Sequence, residues 1–206
     1  MERPCKPPAS RSAETPVNPP APAGAVSPGR PSVLSPALAL PVLLLGLGAG
    51  SAWAIDDVIE TPDAFLSEAF GAAVPAPRFL DLDANAQAQI SAALGHPYAQ
   101  ARLRYWRAGG RSAWIFDDKG KEGYVPTTAG FVVQGGTINI VRVIIYRESH
   151  GEEVAQPSFL KQFVGARAAG NQLDRHIDGI SGATLSVLMM QRMARAAISL
   201  DALAPP

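Results

Sequence analysis

Cysteine is nearly absent. The 206 residues hold one, Cys5, and a lone thiol excludes an internal disulfide framework, an iron–sulfur cluster and a Cys-rich zinc site. A surplus of either charge is missing too: 18 Lys and Arg stand against 18 Asp and Glu. That balance speaks against a nucleic-acid partner, because gripping a phosphate backbone calls for a cationic excess. The histidines, His96, His150 and His176, are isolated and lack metal-ligand spacing, so no metal is expected in the domain. No C-x-x-C-H haem site and no internal repeat occurs. A serine-hydrolase elbow is also missing, since Gly179-Ile-Ser181-Gly182 continues with Ala183 where G-x-S-x-G needs glycine.

What is there is unevenly spread. Eleven of the 19 prolines lie in residues 1–54. Residues 4–31 have few large apolar side chains and cannot offset the entropy of ordering, so disorder is expected. Residues 33–54 are an apolar stretch preceded by Arg30 and closed by Ala52-Trp53-Ala54. A charged start, an apolar middle and a small-residue exit describe a secretory signal peptide. Left uncleaved, the same stretch is an N-terminal anchor; Leu38–Leu47 is short for a bilayer span. Cleavage after Ala54 leaves residues 55–206, one domain without a thiol, which suits an oxidising compartment such as the periplasm.

Within 55–206 the pattern alternates between helix and strand signals. Residues 62–71 read as a short helix with Pro at its first turn and an apolar face of Phe65, Leu66, Ala69 and Phe70. Residues 77–82 read as a strand, and Asp83 caps a helix that stops at Gly95. Then come strands at 101–106, at 112–116, from Tyr124-Val125 resuming at 129–133, and at 137–146. They are separated by turns at Gly109-Gly110, Asp117–Gly120 and Gly135-Gly136. Trp106, Trp114, Phe131 and Tyr146 are expected in the core. Arg102, Arg104, Arg107 and Arg111 are expected on one polar sheet face, able to meet an acidic redox partner. A short helix is expected at 157–163. A long one follows from about Gly182 to Leu200, its packed face formed by Leu185, Leu188, Met189, Met193, Ala197 and Leu200. The fold class is α+β: an antiparallel meander packed against helices.

The segment with chemical content is Asp178-Gly-Ile-Ser-Gly-Ala-Thr184, at the entrance to the last helix. A helix N-terminus offers free N–H groups and a partial positive charge. Gly179 and Gly182 let a ligand approach the backbone, and Ser181 and Thr184 add hydroxyls, an arrangement suited to phosphate. On the residues alone the favoured reading is a plain helix cap by Ser181 or Asp178, with the glycines shaping a turn.

This segment resembles the D-x-x-[ST]-G-A-T flavinylation motif of the FMN-binding domain family, which includes flavin-carrying subunits of the Rnf and sodium-translocating NADH:quinone reductase complexes and small exported flavoproteins. Upstream, a strand, then Glu148-Ser149-His150-Gly151, then a short helix are similar to the family's order of strand, E-[ST]-x-G and helix. The likeness spans roughly residues 101–200. It implies FMN joined by a phosphoester to Thr184, with Asp178 as the motif acid and Gly179, Ser181, Gly182 and Ala183 completing the loop. Glu148 stands near the flavin or its phosphate loop, or is a solvated strand-end carboxylate. The resemblance further implies a separate FAD:protein FMN transferase as installing partner and a membrane redox protein as electron donor or acceptor. The chain would then be an exported electron carrier without turnover of its own. Two rivals stand beside it: a non-flavin periplasmic binding or regulatory module in which the loop is only a cap, and a flavin-dependent reductase with its own substrate.

Overall fold

The computed structural model describes residues 57–121, 125–148 and 150–206. The expected N-terminal disorder and signal segment, Tyr124 and Ser149 lie outside the described residues.

Six antiparallel strands form the main sheet in the order β1-β6-β5-β4-β3-β2. They are β1 Asp57–Val58, β2 Arg78–Asp81, β3 Arg102–Ala108, β4 Arg111–Asp118, β5 Thr127–Gln134 and β6 Thr137–Tyr146. Strands β3 to β6 are the expected meander. Two of its turns are built on paired glycines with positive φ, Gly109-Gly110 (58° and 75°) and Gly135-Gly136 (58° and 70°). Such pairs match the right-handed twist of the strands they join. A second, two-stranded ribbon pairs β7 Ala168–Ala169 with β8 Gln172–Leu173.

Helices cover both faces of the central strands. Helix α1, Pro62–Phe70, starts at Thr61, whose hydroxyl accepts the Ala64 N–H, and lays Phe65, Leu66 and Ala69 on one face. Gly130 makes that approach possible, since a Cβ there would lie 2.8 Å from the Phe65 ring. Helix α2, Ala84–Leu94, is capped by Asp83 and closed by Gly95 in the left-handed region, as its sequence predicts. It packs on the opposite face with α3, Pro157–Leu160, and the long α4, Thr184–Leu203. Each large apolar side chain buried there contributes about 1.5–3 kcal/mol.

Several expectations are corrected. The turn after β4 begins at Lys119 rather than Asp117, because Asp117 and Asp118 pair with Thr128 and Thr127 of β5. Helix α4 starts at Thr184, since Gly182 has φ +82° and cannot belong to a right-handed turn. Its packed face carries Ser186, Met189, Met190, Met193, Ala197 and Leu200, while Leu185 and Leu188 are exposed. The four arginines do not share one face. Arg104 lies over Trp106, and Arg111 donates to the Ala69 carbonyl of α1. Arg107 turns the other way and pairs with Asp201 of α4 at 2.6 Å.

Candidate functional site

The loop before α4 turns back through a hydrogen bond from the Ala183 N–H to the Ile180 carbonyl, 3.0 Å. Ala183 then occupies the cap position, and no side chain caps the helix. The cap reading of Ser181 or Asp178 is therefore corrected: both are exposed and neither covers the N–H groups of the first turn. Asp178 is 81% exposed on its side chain, 3.5 Å from His176 Nε2. Its backbone N–H donates to Gln162 Oε1 at 2.8 Å, which ties the loop to the short turn after α3. Thr184, the first helical residue, is exposed.

A pocket of about 230 Å³ opens at this helix end. Its walls are Gly182, Ala183, Thr184, Leu185 and Ser186 on one side and Glu148 and His150 on the other. Of the residues singled out from sequence, Glu148, Gly182, Ala183 and Thr184 thus come together. Asp178, Gly179 and Ser181 lie outside this pocket; Gly179 borders a second one, of about 300 Å³, with Glu153, Phe159 and Gln162.

Glu148 is held from both sides. Its Oε1 accepts the Gly120 N–H at 2.8 Å and its Oε2 accepts the Ser186 hydroxyl at 2.8 Å. Two donors on one carboxylate spread its negative charge and hold it in place beside the helix end. Tyr146, the last residue of β6, donates its phenol proton to the His150 carbonyl at 2.5 Å, 3.3 Å from Ser186 Oγ. Burial pushes the Tyr146 phenol up to about 12, with the charges of Glu148 and Glu152 adding to the shift and the Ser186 contact opposing it. Gly151 has φ +99°, and a Cβ there would lie 2.6 Å from Ser186 Oγ and 2.9 Å from Tyr146 Oη.

Sequence reasoning missed Ser186 and His150 as parts of this wall, and Gly120 and Tyr146 as the groups behind it. Ser186 carried one usable signal: it is a hydroxyl on the apolar stripe of a helix, 3% exposed, and a buried hydroxyl needs a partner.

The residues fit a phosphate-bearing group. The first turn is uncapped, the dipole end is positive, and an added Cβ at Gly179 or Gly182 would meet nothing within 4 Å. The pocket is smaller than the ~300–1,000 Å³ usual for whole small-molecule ligands. It suits the phosphate end of a nucleotide better than an aromatic ring system. Among the described residues no cluster of three or more His, Cys, Asp and Glu could hold a metal ion, and no helix is long and apolar enough to cross a membrane.

Residues 120–199 match the family model of the FMN-binding domain. The match begins at the glycine whose N–H holds Glu148 and takes in every residue lining the pocket. No curated protein and no solved structure matches the chain.

Proposed function

Starting from the FMN-binding domain formed by residues 120–199, we propose that this flavoprotein carries FMN covalently on Thr184 and works as an electron carrier. The observation behind the reading is Thr184 itself: an exposed hydroxyl on the first residue of an uncapped helix, at the rim of a phosphate-sized pocket. In the attachment step the Thr184 oxygen bonds to the FMN-side phosphorus of FAD. The pyrophosphate P–O bond breaks, AMP leaves, and the hydroxyl proton is lost. A threonine hydroxyl needs a base or a metal to do this, and no hydrogen bond among the described residues engages it. An external FAD:protein FMN transferase supplies that activation.

Once attached, FMN supplies reversible electron transfer. The chain's own residues hold and screen it. The first-turn N–H groups of α4 would hold the phosphate, Gly182 would leave room beside it, and Glu148, locked by Gly120 and Ser186, lines the same pocket. A covalent link matters most where free FMN is dilute, since a dissociable cofactor stays bound only above its Kd. That favours export through residues 33–54 to the periplasm, cleaved or anchored, and a membrane redox protein as electron donor or acceptor.

The test is intact mass of the protein made with and without a co-expressed transferase, repeated on Thr184→Val. A gain of one FMN less water, dependent on the transferase and lost in the variant, supports the reading. An unmodified mass beside a working transferase control overturns it. Reoxidation of the flavin by a small substrate without a partner protein would move the assignment to a reductase.

A further inference from the structure

Outside the pocket, one buried charge has no role in the reading above. Asp118, at the end of β4, has a side chain with no solvent exposure. Its carboxylate takes the His96 Nε2 at 2.7 Å, the Lys119 N–H at 2.8 Å and Arg192 Nη2 at 3.1 Å. Three elements meet there: the loop after α2, the end of β4, and α4. A buried ion pair of this kind is a poor source of net stability but a strong geometric constraint.

Arg192 Nη2 makes a second bond, to the Lys119 carbonyl at 2.9 Å. That carbonyl belongs to the same peptide unit as the Gly120 N–H. In a trans peptide the two groups point in opposite directions. Holding the carbonyl toward α4 therefore aims the N–H away from it, and the Gly120 N–H is the group that donates to Glu148 Oε1. Gly120 is also pressed against that carboxylate, since a Cβ there would lie 2.8 Å from Oε1. Glu148 is thus tied to α4 twice, directly through Ser186 and indirectly through the Lys119–Gly120 peptide.

We infer that Arg192 and Asp118 are positioning residues for the flavin pocket: by clamping the Lys119–Gly120 peptide they hold Glu148 beside Thr184. The consequence for loading rests on the reading of Thr184 as the attachment point; the clamp does not. Because one nitrogen of Arg192 makes both bonds, a lysine reaching the same point can replace it, and a methionine cannot.

The experiment uses the full chain and compares Arg192→Met, Arg192→Lys and Asp118→Asn with Arg107→Gln, which breaks the Asp201 pair farther along α4. The first readout is amide hydrogen exchange at Gly120, made without flavin. Loss of a charge-assisted hold is expected to speed it about tenfold in Arg192→Met and Asp118→Asn. Arg192→Lys should return it close to wild type, and Arg107→Gln should leave it unchanged. The second readout is flavin transfer by the transferase, with kcat falling in Arg192→Met while KM for the protein holds. Unchanged Gly120 exchange in Arg192→Met overturns the inference, as does an equal change in Arg107→Gln at matched loss of Tm. Wild-type protein that takes no flavin, yet shows the exchange pattern, keeps the clamp and removes the reading of Thr184.

Discussion

Gly151 and Ser186 touch where the loop after β6 crosses the first turn of α4: a Cβ on Gly151 would stand 2.6 Å from Ser186 Oγ. Ser186 cannot yield without losing Glu148, to which it donates at 2.8 Å. Gly151 also sits at φ +99°, where side chains other than glycine cost about 1–3 kcal/mol. Gly151→Ala is expected to lower the unfolding free energy by that amount or more, read as a lower urea midpoint at unchanged m, and to slow flavin loading as Ser186 and Glu148 are pushed apart. Equilibrium unfolding and a loading time course check both parts. An alanine variant with wild-type stability and loading would show that the contact gives freely.

Ser186→Ala removes one of the two donors on Glu148. Hydrogen bonds to charged groups contribute about 1.5–3 kcal/mol, and the loss here is expected near the lower end because Gly120 still donates. Ser186→Thr keeps the hydroxyl but adds a methyl against Gly151. A larger loss for Thr than for Ala would show that space, rather than the hydrogen bond, governs this corner.

Two phenols should titrate late. Burial raises Tyr146 to about 12 and raises Tyr98 further, helped at Tyr98 by the charges of Asp117 and Asp118. An acid whose pKa is raised on folding binds its proton more tightly in the folded state. The associated stability is present in full below the unfolded value of 10.0 and is lost as pH climbs toward the folded one. Alkaline unfolding is therefore expected above pH 10, and Tyr146→Phe should flatten the fall in stability there. Denaturant midpoints between pH 9 and 12, with phenolate absorbance recorded alongside, test this. Equal slopes for wild type and variant would count against it.

Much of the fold was legible because local signals agreed with one another. Pro62, Asp83 and Gly95 mark helix ends by their own chemistry, and the Gly-Gly turns give the meander its order. The face of α4 was read less well. Leu185 and Leu188 share three- and four-residue spacing with the buried stripe, yet they lie just beyond its edge, and periodicity alone does not say where the neighbouring sheet ends. The pocket divides the same way. Thr184, Gly182 and Ala183 are close in sequence and came as one motif. The links that hold Glu148 run to Gly120 and Ser186, 28 and 38 residues away, and only the folded sheet brings those together.

The two edges of α4 should differ sharply on mutation. Met193 is fully buried, whereas Leu188 is 46% exposed. Met193→Ala is expected to cost about 2–5 kcal/mol through lost contacts and a cavity. Leu188→Ser should stay within about 0.5 kcal/mol. Thermal or urea unfolding separates them, and a large loss at Leu188 would mean that this side of the helix is covered in solution.

Asp178 has little to do within the chain. It is 81% exposed, its carboxylate lies 3.5 Å from Nε2 of the similarly exposed His176, and it caps no helix. Its backbone N–H, which holds Gln162, survives any side-chain change. If Asp178 had no role, its removal should then be silent everywhere. If it serves loading, the effect should appear only when the transferase acts on Thr184. Asp178→Ala is expected to leave Tm within about 1 °C, in line with a ΔΔG under about 0.5 kcal/mol at an exposed site. Transferase-dependent FMN mass should fall at least tenfold, close to the complete loss expected for Thr184→Val. Full loading of the Asp178→Ala protein would remove the carboxylate from the recognition of this loop. A large fall in Tm would instead assign the carboxylate to holding the loop.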